Sequence, residues 1–365
     1  MSSTKKESIN IGIIGAGFAR STQIPGFRAC EGARIVSIAS GHRENAERVA
    51  REFDIPHVAS DWREVVARAD VDLISIVTPT STHREMALAA LDAGKAVLCE
   101  KPMAMNAVEA EEMRRRALET GALALIDHEL RFVSGRRKMR EMLRGGEIGR
   151  VRHAKLTFRA DSRSSATHAW NWWSDEKAGG GILGAIGSHA VDGLHWMLGA
   201  QASRVFCQLA THVPERPDAL TGEMRRVTSD DEANLVLRFA DGELTRGATG
   251  TVSMSMIEAG RREHRLEVYG SEGALKLEGA GDLSRASVGD GAWTPVETEA
   301  GELAAGMRDN EWSRGFTVFA RRIIEALREG RNSVEDAATF DDGYRTQLVL
   351  DAARRSHQEG CWSNL

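Results

Sequence analysis

The residues best placed to do chemistry are Glu100-Lys101-Pro102, which follow the apolar run Ala96-Val97-Leu98-Cys99. A strand is predicted to end there, and it ends beside a lysine. Pro102 removes a backbone donor and fixes the chain direction just beyond it. Ligands of parallel sheets bind beyond the carboxyl ends of the strands. Lys101 is therefore a candidate catalytic group, although most lysines are simply solvated.

A glycine turn, Gly12-Ile13-Ile14-Gly15-Ala16-Gly17, lies near the start of the chain. Gly15 and Gly17 follow an apolar run and precede a helical pattern, which is the setting of a dinucleotide fingerprint. We expect their backbone, with Phe18 and Ala19 at the helix start, to bind a pyrophosphate. Arg20 replaces the third glycine of the pattern, so a plain strand–helix turn remains the alternative. If both motifs share one sheet edge, burial and an oxidised nicotinamide would favour neutral Lys101, as a general base requires.

The end of the second predicted strand bears on cofactor choice. A carboxylate there would bind a ribose 2′-hydroxyl and repel a 2′-phosphate. The chain has Ser40-Gly41-His42-Arg43 instead, which offers donors and a cation. Ser40, His42 and Arg43 therefore favour NADP, with NAD as the alternative. Arg43 could also be an ordinary solvated residue at a helix start.

A second set of polar residues lies between Gly179 and Leu198. Glycines lead into a helix predicted to begin near Ser188, in which His189, Asp192 and Trp196 share one face. Apolar residues form a separate stripe that would hold the helix on a sheet and leave His189 and Asp192 facing a cleft. His189 is thus a candidate catalytic residue and Asp192 a candidate substrate ligand. The alternative is a core histidine bonded to Asp192.

Three indoles fall within four residues, at Trp170, Trp172 and Trp173. Indoles stack on the C–H faces of sugars and also fill cores and interfaces. Most of the three are expected to be structural, with Trp172 as the candidate substrate contact. Arg159, Asp161 and Arg163 lie beyond a predicted strand and could reach substrate hydroxyls; Arg159 is the one we assign to substrate.

The elements that must position these residues fall into two patterns. Up to Asp127, short apolar runs alternate with helical patterns, which predicts a doubly wound parallel sheet. Beyond it, strand-like runs separated by turn residues predict a mainly antiparallel sheet, followed by two helices. We therefore predict an α/β protein with a dinucleotide-binding domain at 1–127. Residues 128–365 form the second domain, whose last helix could pack back toward the first. The segments 213–228 and 279–301 read as loops or weak hairpins.

Several of these motifs resemble the glucose–fructose oxidoreductase/inositol dehydrogenase (Gfo/Idh/MocA) family. The segment from Ala93 to Pro102 looks like its hallmark, and Thr78-Pro79 with His83 matches the preceding strand end. Gly146 to Val151 and Gly179 to Asp192 match motifs of its second domain. The resemblance implies a Rossmann domain, an α/β domain with an open, mainly antiparallel sheet, and NAD(P)-dependent hydride transfer on a sugar, cyclitol or related polyol. It also implies that Lys101 and His189 are catalytic, that Thr78, Pro79, His83, Glu100 and Lys101 contact cofactor, and that the open sheet face forms homodimers or homotetramers.

The chain departs from the family at Ala185, where many members carry an aspartate four residues before the histidine. A methyl group accepts no hydrogen bond, so the expected lysine–aspartate–histidine trio is incomplete. Asp161 or Asp175 could supply the carboxylate. Alternatively, the chain is a cofactor-binding regulator or sensor, or it catalyses a non-oxidative net reaction with a recycled, bound cofactor.

Composition narrows the remaining function classes. The apolar fraction of 42% suffices for two cores, and the net charge of −5 gives no reason to expect nucleic-acid or membrane partners. The polar N-terminus and the four scattered cysteines favour a cytoplasmic protein with reduced thiols. No Cys/His cluster has metal-ligand spacing, so no metal site is expected.

Overall fold

The computed structural model describes residues 5–260 and 262–365. The chain forms two compact units, each assembled from two segments. Unit 1 comprises residues up to Val133 together with Gly301–Tyr344, and unit 2 comprises Ser134–Ala300 together with Arg345–Leu365. The sequence analysis placed the whole chain after residue 127 in the second domain, whereas 301–344 cluster with unit 1.

Unit 1 is built on a five-stranded, all-parallel sheet with the strand order β2-β1-β3-β4-β5. The strands are β1 (Ile9–Ile14), β2 (Ala33–Ala39), β3 (Leu73–Ile76), β4 (Ala96–Cys99) and β5 (Ala124–Ile126). The order reverses between β1 and β3, and ligands of doubly wound sheets bind at such a switch point. This confirms the predicted dinucleotide-binding architecture.

Helices cover both faces of this sheet. They are α1 (Ile24–Arg28), α2 (Arg43–Phe53), α3 (Trp62–Ala67), α4 (His83–Asp92), α5 (Ala107–Thr120) and α8 (Glu311–Arg328). On one face, α8 packs against β1 and α1, where the rings of Phe27 and Phe316 meet edge to face with centroids 5.4 Å apart. The sequence analysis assigned α8 to the second domain, but its apolar side belongs to the core of unit 1.

Unit 2 is built on a nine-stranded sheet in the order β15-β14-β13-β12-β6-β11-β10-β7-β16. Its strands are β6 (Val151–Arg159), β7 (Ala202–Ala210), β10 (Glu232–Phe239), β11 (Thr245–Ser255), β12 (Glu263–Gly270), β13 (Gly273–Glu278), β14 (Asp282–Ser287), β15 (Thr294–Val296) and β16 (Ser363–Asn364). Among the strands described in this sheet, only β6 and β11 pair in parallel, so the predicted mainly antiparallel sheet is confirmed. A small hairpin of β8 (Glu215–Pro217) and β9 (Met224–Arg226) lies apart from it.

The helices of unit 2 are α6 (Ser134–Arg144) and α7 (Ser188–Leu198). A long final helix, α9 (Phe340–Glu359), begins in unit 1 and ends in unit 2. All eleven residues of α7 are buried, whereas the sequence predicted a cleft-facing side. The end of α9 lies along β7, because the Cys207 amide donates to Ser356 Oγ at 2.9 Å. Among the helices described, none is long and apolar enough to cross a membrane.

Candidate active site

The glycine turn follows β1 at the switch point. Gly15 has φ +110°, and a Cβ there would overlap the carbonyl oxygen of Val77 just beyond β3. Only glycine fits this close approach of two strand ends. Around Gly17, by contrast, no atom lies within 4 Å of where a Cβ would stand. This leaves the open backbone surface that a pyrophosphate needs. Phe18 is 41% exposed, whereas Ala19 is fully buried and offers only its backbone.

The end of β2 carries no carboxylate. Ser40 and Gly41 follow the strand, and His42 precedes the first turn of α2 with no side-chain capping bond. Arg43 pairs with Glu47 one helical turn later, with Nε 2.8 Å from Oε1. Its side chain is 57% exposed, so this pair contributes little stability and can be exchanged for another anion.

His83 braces the ends of β3 and β4. Its Nε2 lies 2.9 Å from the Thr78 carbonyl oxygen, and its Nδ1 lies 3.1 Å from the Pro102 carbonyl oxygen. Burial lowers the pKa of His83 and the nearby Lys101 charge adds to this, whereas hydrogen bonds to the Thr78 and Pro102 carbonyls oppose it. This buried histidine fixes the loop that carries Lys101, and it also holds the turn of Thr78 and Pro79. The Lys101–Pro102 peptide bond is cis.

A buried polar cluster lies beneath Lys101, and sequence reasoning missed most of it. The Gln23 amide nitrogen donates to Glu100 Oε1 at 3.0 Å and to Asp127 Oδ2 at 2.8 Å. The Ser75 hydroxyl donates to the Gln23 amide oxygen. Gln23 directly precedes α1, Ser75 lies in β3, and Glu100 and Asp127 follow β4 and β5. The cluster therefore links the carboxyl ends of three neighbouring strands.

In unit 2, His189 lies in the first turn of α7, directly after a π-helical turn (Leu183–Gly187) that contains Ala185. His189 and Asp192 are 4% and 2% exposed. The Ala185 amide donates to the Gly181 carbonyl at 3.0 Å, so the turn is closed by backbone bonds. Ala185 therefore occupies a well-defined position, and its missing carboxylate must come from elsewhere if one is needed.

Asp230 is the carboxylate tied most directly to this turn, and sequence reasoning did not single it out. Its Oδ2 accepts from the Leu183 amide at 2.7 Å. Burial raises the pKa of Asp230 to about 6, a value suited to proton transfer near neutral pH. It also lines a cavity of about 340 Å³ together with Arg354 and His357. Of the earlier candidates, Asp175 caps a 3₁₀ turn through Lys177 N at 3.0 Å, and Asp161 is exposed.

The three indoles have different surroundings. The Arg225 guanidinium lies 3.4 Å from the Trp170 ring centre, and the Trp170 Nε1 donates to the Arg226 carbonyl. Arg163 covers Trp173 at 4.3 Å. Trp172 is 43% exposed and makes no ring contact or side-chain hydrogen bond within the described part of the chain. Of the three, Trp172 is the indole available for stacking on a ligand.

Arg159 is engaged by its own sheet. Its Nη1 donates to the carbonyls of Phe158 and Ser253, at 2.9 and 2.7 Å, and its Nε pairs with Glu258 at 2.9 Å. Successive strand residues point to opposite faces. Phe158 is buried on the face against which α7 packs, so Arg159 lies on the other face. The structure therefore does not bring Arg159 to His189.

Residues 5–260 and 262–365 contain no set of side chains placed to ligate a metal ion. No group of three or more His, Cys, Asp or Glu side chains there is arranged to hold an ion. The candidate groups of unit 1 are the glycine turn and Lys101, and those of unit 2 are His189 and the acids described above.

Two family models match the chain. The model described as "Oxidoreductase family, NAD-binding Rossmann fold" matches residues 9–128. The model described as "GFO/IDH/MocA C-terminal domain" matches residues 136–276. Together the two models cover the parallel sheet and the nine-stranded sheet from β6 into β13, including the glycine turn, Lys101 and His189.

Full-length relatives agree with the family models. Glucose-fructose oxidoreductase domain-containing protein 2 of Xenopus laevis is 30% identical, over 97% of this chain and 93% of the relative. Levoglucosan dehydrogenase of Pseudarthrobacter phenanthrenivorans is 28% identical, over 98% of both chains. A levoglucosan dehydrogenase structure in complex with NADH and L-sorbose superposes with a TM-score of 0.85 at 26% identity, covering 98% of this chain and 99% of that one.

Proposed function

Because the chain belongs to the Gfo/Idh/MocA family of oxidoreductases with an NAD-binding Rossmann domain, we propose that it is a dehydrogenase or reductase of a sugar, cyclitol or related polyol. The observation that carries this proposal is the carboxyl edge of the parallel sheet. The glycine turn after β1 and the His83-braced lysine after β4 both lie at this edge, with the end of β3 between them.

The residues present fit a nicotinamide dinucleotide. Gly15 permits the tight turn, and the space around Gly17 can hold a pyrophosphate. The backbone amides of Phe18 and Ala19 begin the helical turn that would face this pyrophosphate. In this proposal the nicotinamide lies beside Lys101 and Glu100. When bound, the cofactor supplies the hydride acceptor or donor.

Lys101 and His189 would handle the proton of the substrate hydroxyl. Oxidation of a carbinol transfers its C–H hydrogen as hydride and its O–H proton to a base. In this proposal Lys101 accepts that proton, and His189 holds or orients the same oxygen. With alanine at 185, we assign Asp230 as the candidate carboxylate beside this turn, and Trp172 and Asp192 as candidate substrate contacts.

Arg43 favours NADP as the cofactor. It is exposed at the start of α2, where it pairs with Glu47, and positions 40–42 directly after β2 carry no carboxylate. The same position can accept NAD, since the levoglucosan dehydrogenase complexes were determined with NADH. We therefore assign NADP as the preferred cofactor and NAD as the alternative.

The outer face of the nine-stranded sheet is the proposed subunit interface of a homodimer or homotetramer. Val236 and Trp362 are 39% and 37% exposed there, and the Trp362 ring lies 6.1 Å from that of Phe206. Cytoplasmic localisation remains our proposal; the four cysteines are unpaired with one another, and three are buried.

The test is reduction of NAD⁺ and NADP⁺ by the purified protein with a panel of sugars, anhydrosugars and inositols. The proposal predicts turnover with at least one polyol. Tight dinucleotide binding without turnover, even in Ala185→Asp, would instead support a cofactor-binding regulator. Interconversion of substrates without net nucleotide reduction would support a recycled, bound cofactor.

A further inference from the structure

The geometry of the Gln23 cluster points to a use that the hydride transfer itself does not require. We infer that Glu100 and Asp127 share one proton near neutral pH, and that binding of an oxidised nicotinamide nucleotide drives this proton off. The first part stands on the cluster alone. The second part rests on the proposed function, which places the nicotinamide beside Glu100.

Two acids meet at one donor. Glu100 Oε1 and Asp127 Oδ2 both accept from the Gln23 amide nitrogen, at 3.0 and 2.8 Å, which holds the two carboxyl groups at one spot. Two like charges so placed cannot both be ionised without a large cost, so one acid retains its proton.

The cluster is closed to water. Gln23, Ser75 and Asp127 are 0% exposed and Glu100 is 8% exposed. The Ser75 hydroxyl donates to the Gln23 amide oxygen and so fixes which end of the amide faces the acids. Gln23 can then stabilise negative charge but cannot accept the acidic proton with its nitrogen. The proton must stay on one of the two carboxyl groups.

Surrounding charges place the proton on Asp127. Burial raises the pKa of Asp127 well above its ordinary value, and the charges of Glu129 and Glu100 raise it further. Burial also raises the pKa of Glu100, but Lys101 opposes this rise. The Cys99 thiol beside the pair stays protonated, because burial raises its pKa as well. We therefore assign the retained proton to Asp127 and the negative charge to Glu100.

A cation at the carboxyl edge of the parallel sheet changes the protonation of the Glu100–Asp127 pair. The pair with one proton carries a single negative charge, and the pair without it carries two. An oxidised nicotinamide ring is cationic and favours the doubly charged pair, whereas the reduced ring is neutral and does not. Binding of the oxidised nucleotide therefore releases a proton to the buffer, and binding of the reduced nucleotide leaves it in place.

Unfolding as a function of pH tests the shared proton without any cofactor. An acid whose folded pKa is raised has its full stability below the unfolded pKa and loses it as pH rises through the folded pKa. From about pH 4 upward, the unfolding constant of the wild type should rise relative to Asp127→Asn by about tenfold per pH unit until Asp127 ionises. Exposed Asp54→Asn is the matched control and should follow the wild type.

A second measurement covers the case in which Asp127→Asn fails to fold. The infrared spectrum of the wild type near neutral pH should contain the C=O band of a buried, protonated carboxylic acid. The absence of that band, or identical pH slopes for wild type and Asp127→Asn, would overturn the shared proton.

Calorimetric titration in two buffers of different ionisation enthalpy tests the coupling. The wild type should release more protons, up to one, on binding NAD⁺ or NADP⁺ than on binding the matching reduced form, and Asp127→Asn should remove the difference. Equal proton release for both redox forms would overturn the coupling. If no dinucleotide binds, the proposed function fails along with the coupling, and the unfolding slopes still decide whether the proton is shared.

Discussion

Gly15 and Gly17 differ in what surrounds them, and substitution by alanine should separate folding from cofactor binding. At Gly17 an added methyl group meets no protein atom within 4 Å, and φ is not positive. Alanine is also favoured over glycine at a helical position by up to about 1 kcal/mol. Gly17→Ala should therefore be as stable as the wild type or slightly more stable.

The same methyl group would stand where the proposed pyrophosphate approaches the backbone. Displacing the phosphate from one backbone N–H loses one charge-assisted hydrogen bond, which contributes about 1.5–3 kcal/mol. The dissociation constant for NAD(P)H should then rise by roughly 10- to 150-fold. Fluorescence titration of the reduced nucleotide measures this change directly.

Gly15→Ala is the matched variant, and its main effect should be on folding stability. Its positive φ and the overlap with the Val77 carbonyl oxygen should cost about 1–3 kcal/mol of stability in urea unfolding. Unchanged nucleotide affinity in a stable Gly17→Ala would refute the assignment of this turn to the cofactor. Unchanged stability in Gly15→Ala would refute the close approach of the two strand ends.

Three further predictions address individual side chains. Arg43→Ala should weaken NADP⁺ binding by roughly 10- to 100-fold through loss of a charged hydrogen bond, while NAD⁺ binding and the control Arg48→Ala stay unchanged in the same titration. Burial raises the pKa of Asp230 to about 6, so its stability contribution is complete below pH 4 and lost as pH rises through 6. Asp230→Asn should remove up to about 3 kcal/mol of that pH-dependent loss in urea unfolding, and identical slopes would contradict it. Trp172→Ala should raise KM by about 3- to 10-fold through lost stacking without changing stability, whereas Trp170→Ala should lower Tm; the reverse pattern would show that Trp172 is structural.

Much of the fold follows from local sequence patterns. The bounds of β4 match the apolar run Ala96-Val97-Leu98-Cys99 that predicted it, and α7 begins at Ser188, where a helix start was predicted. These segments combine strong periodicity with clear end signals, so tertiary context had little to override. The place of α8 could not be read in this way, because an amphipathic pattern identifies an apolar side without identifying the sheet on which it packs.

The candidate site was predictable where a motif is continuous and obscure where the fold assembles it. Lys101 and the glycine turn lie within short motifs. Gln23 precedes Glu100 by 77 positions and Asp127 by 104 positions. The three residues meet because of the strand order of the sheet. The face of Arg159 was available from the sequence, since the neighbouring Phe158 is apolar and strand residues alternate.

The role of Lys101 is the central claim, and one comparison of rate with affinity tests it most directly. Lys101→Met should reduce kcat with a responsive polyol by about 10²- to 10⁴-fold, as expected for loss of a general acid–base group. NAD(P)H affinity should stay close to that of the wild type, and the control Lys138→Met, whose side chain is 39% exposed, should keep full turnover. Turnover by Lys101→Met equal to the wild type would contradict the account.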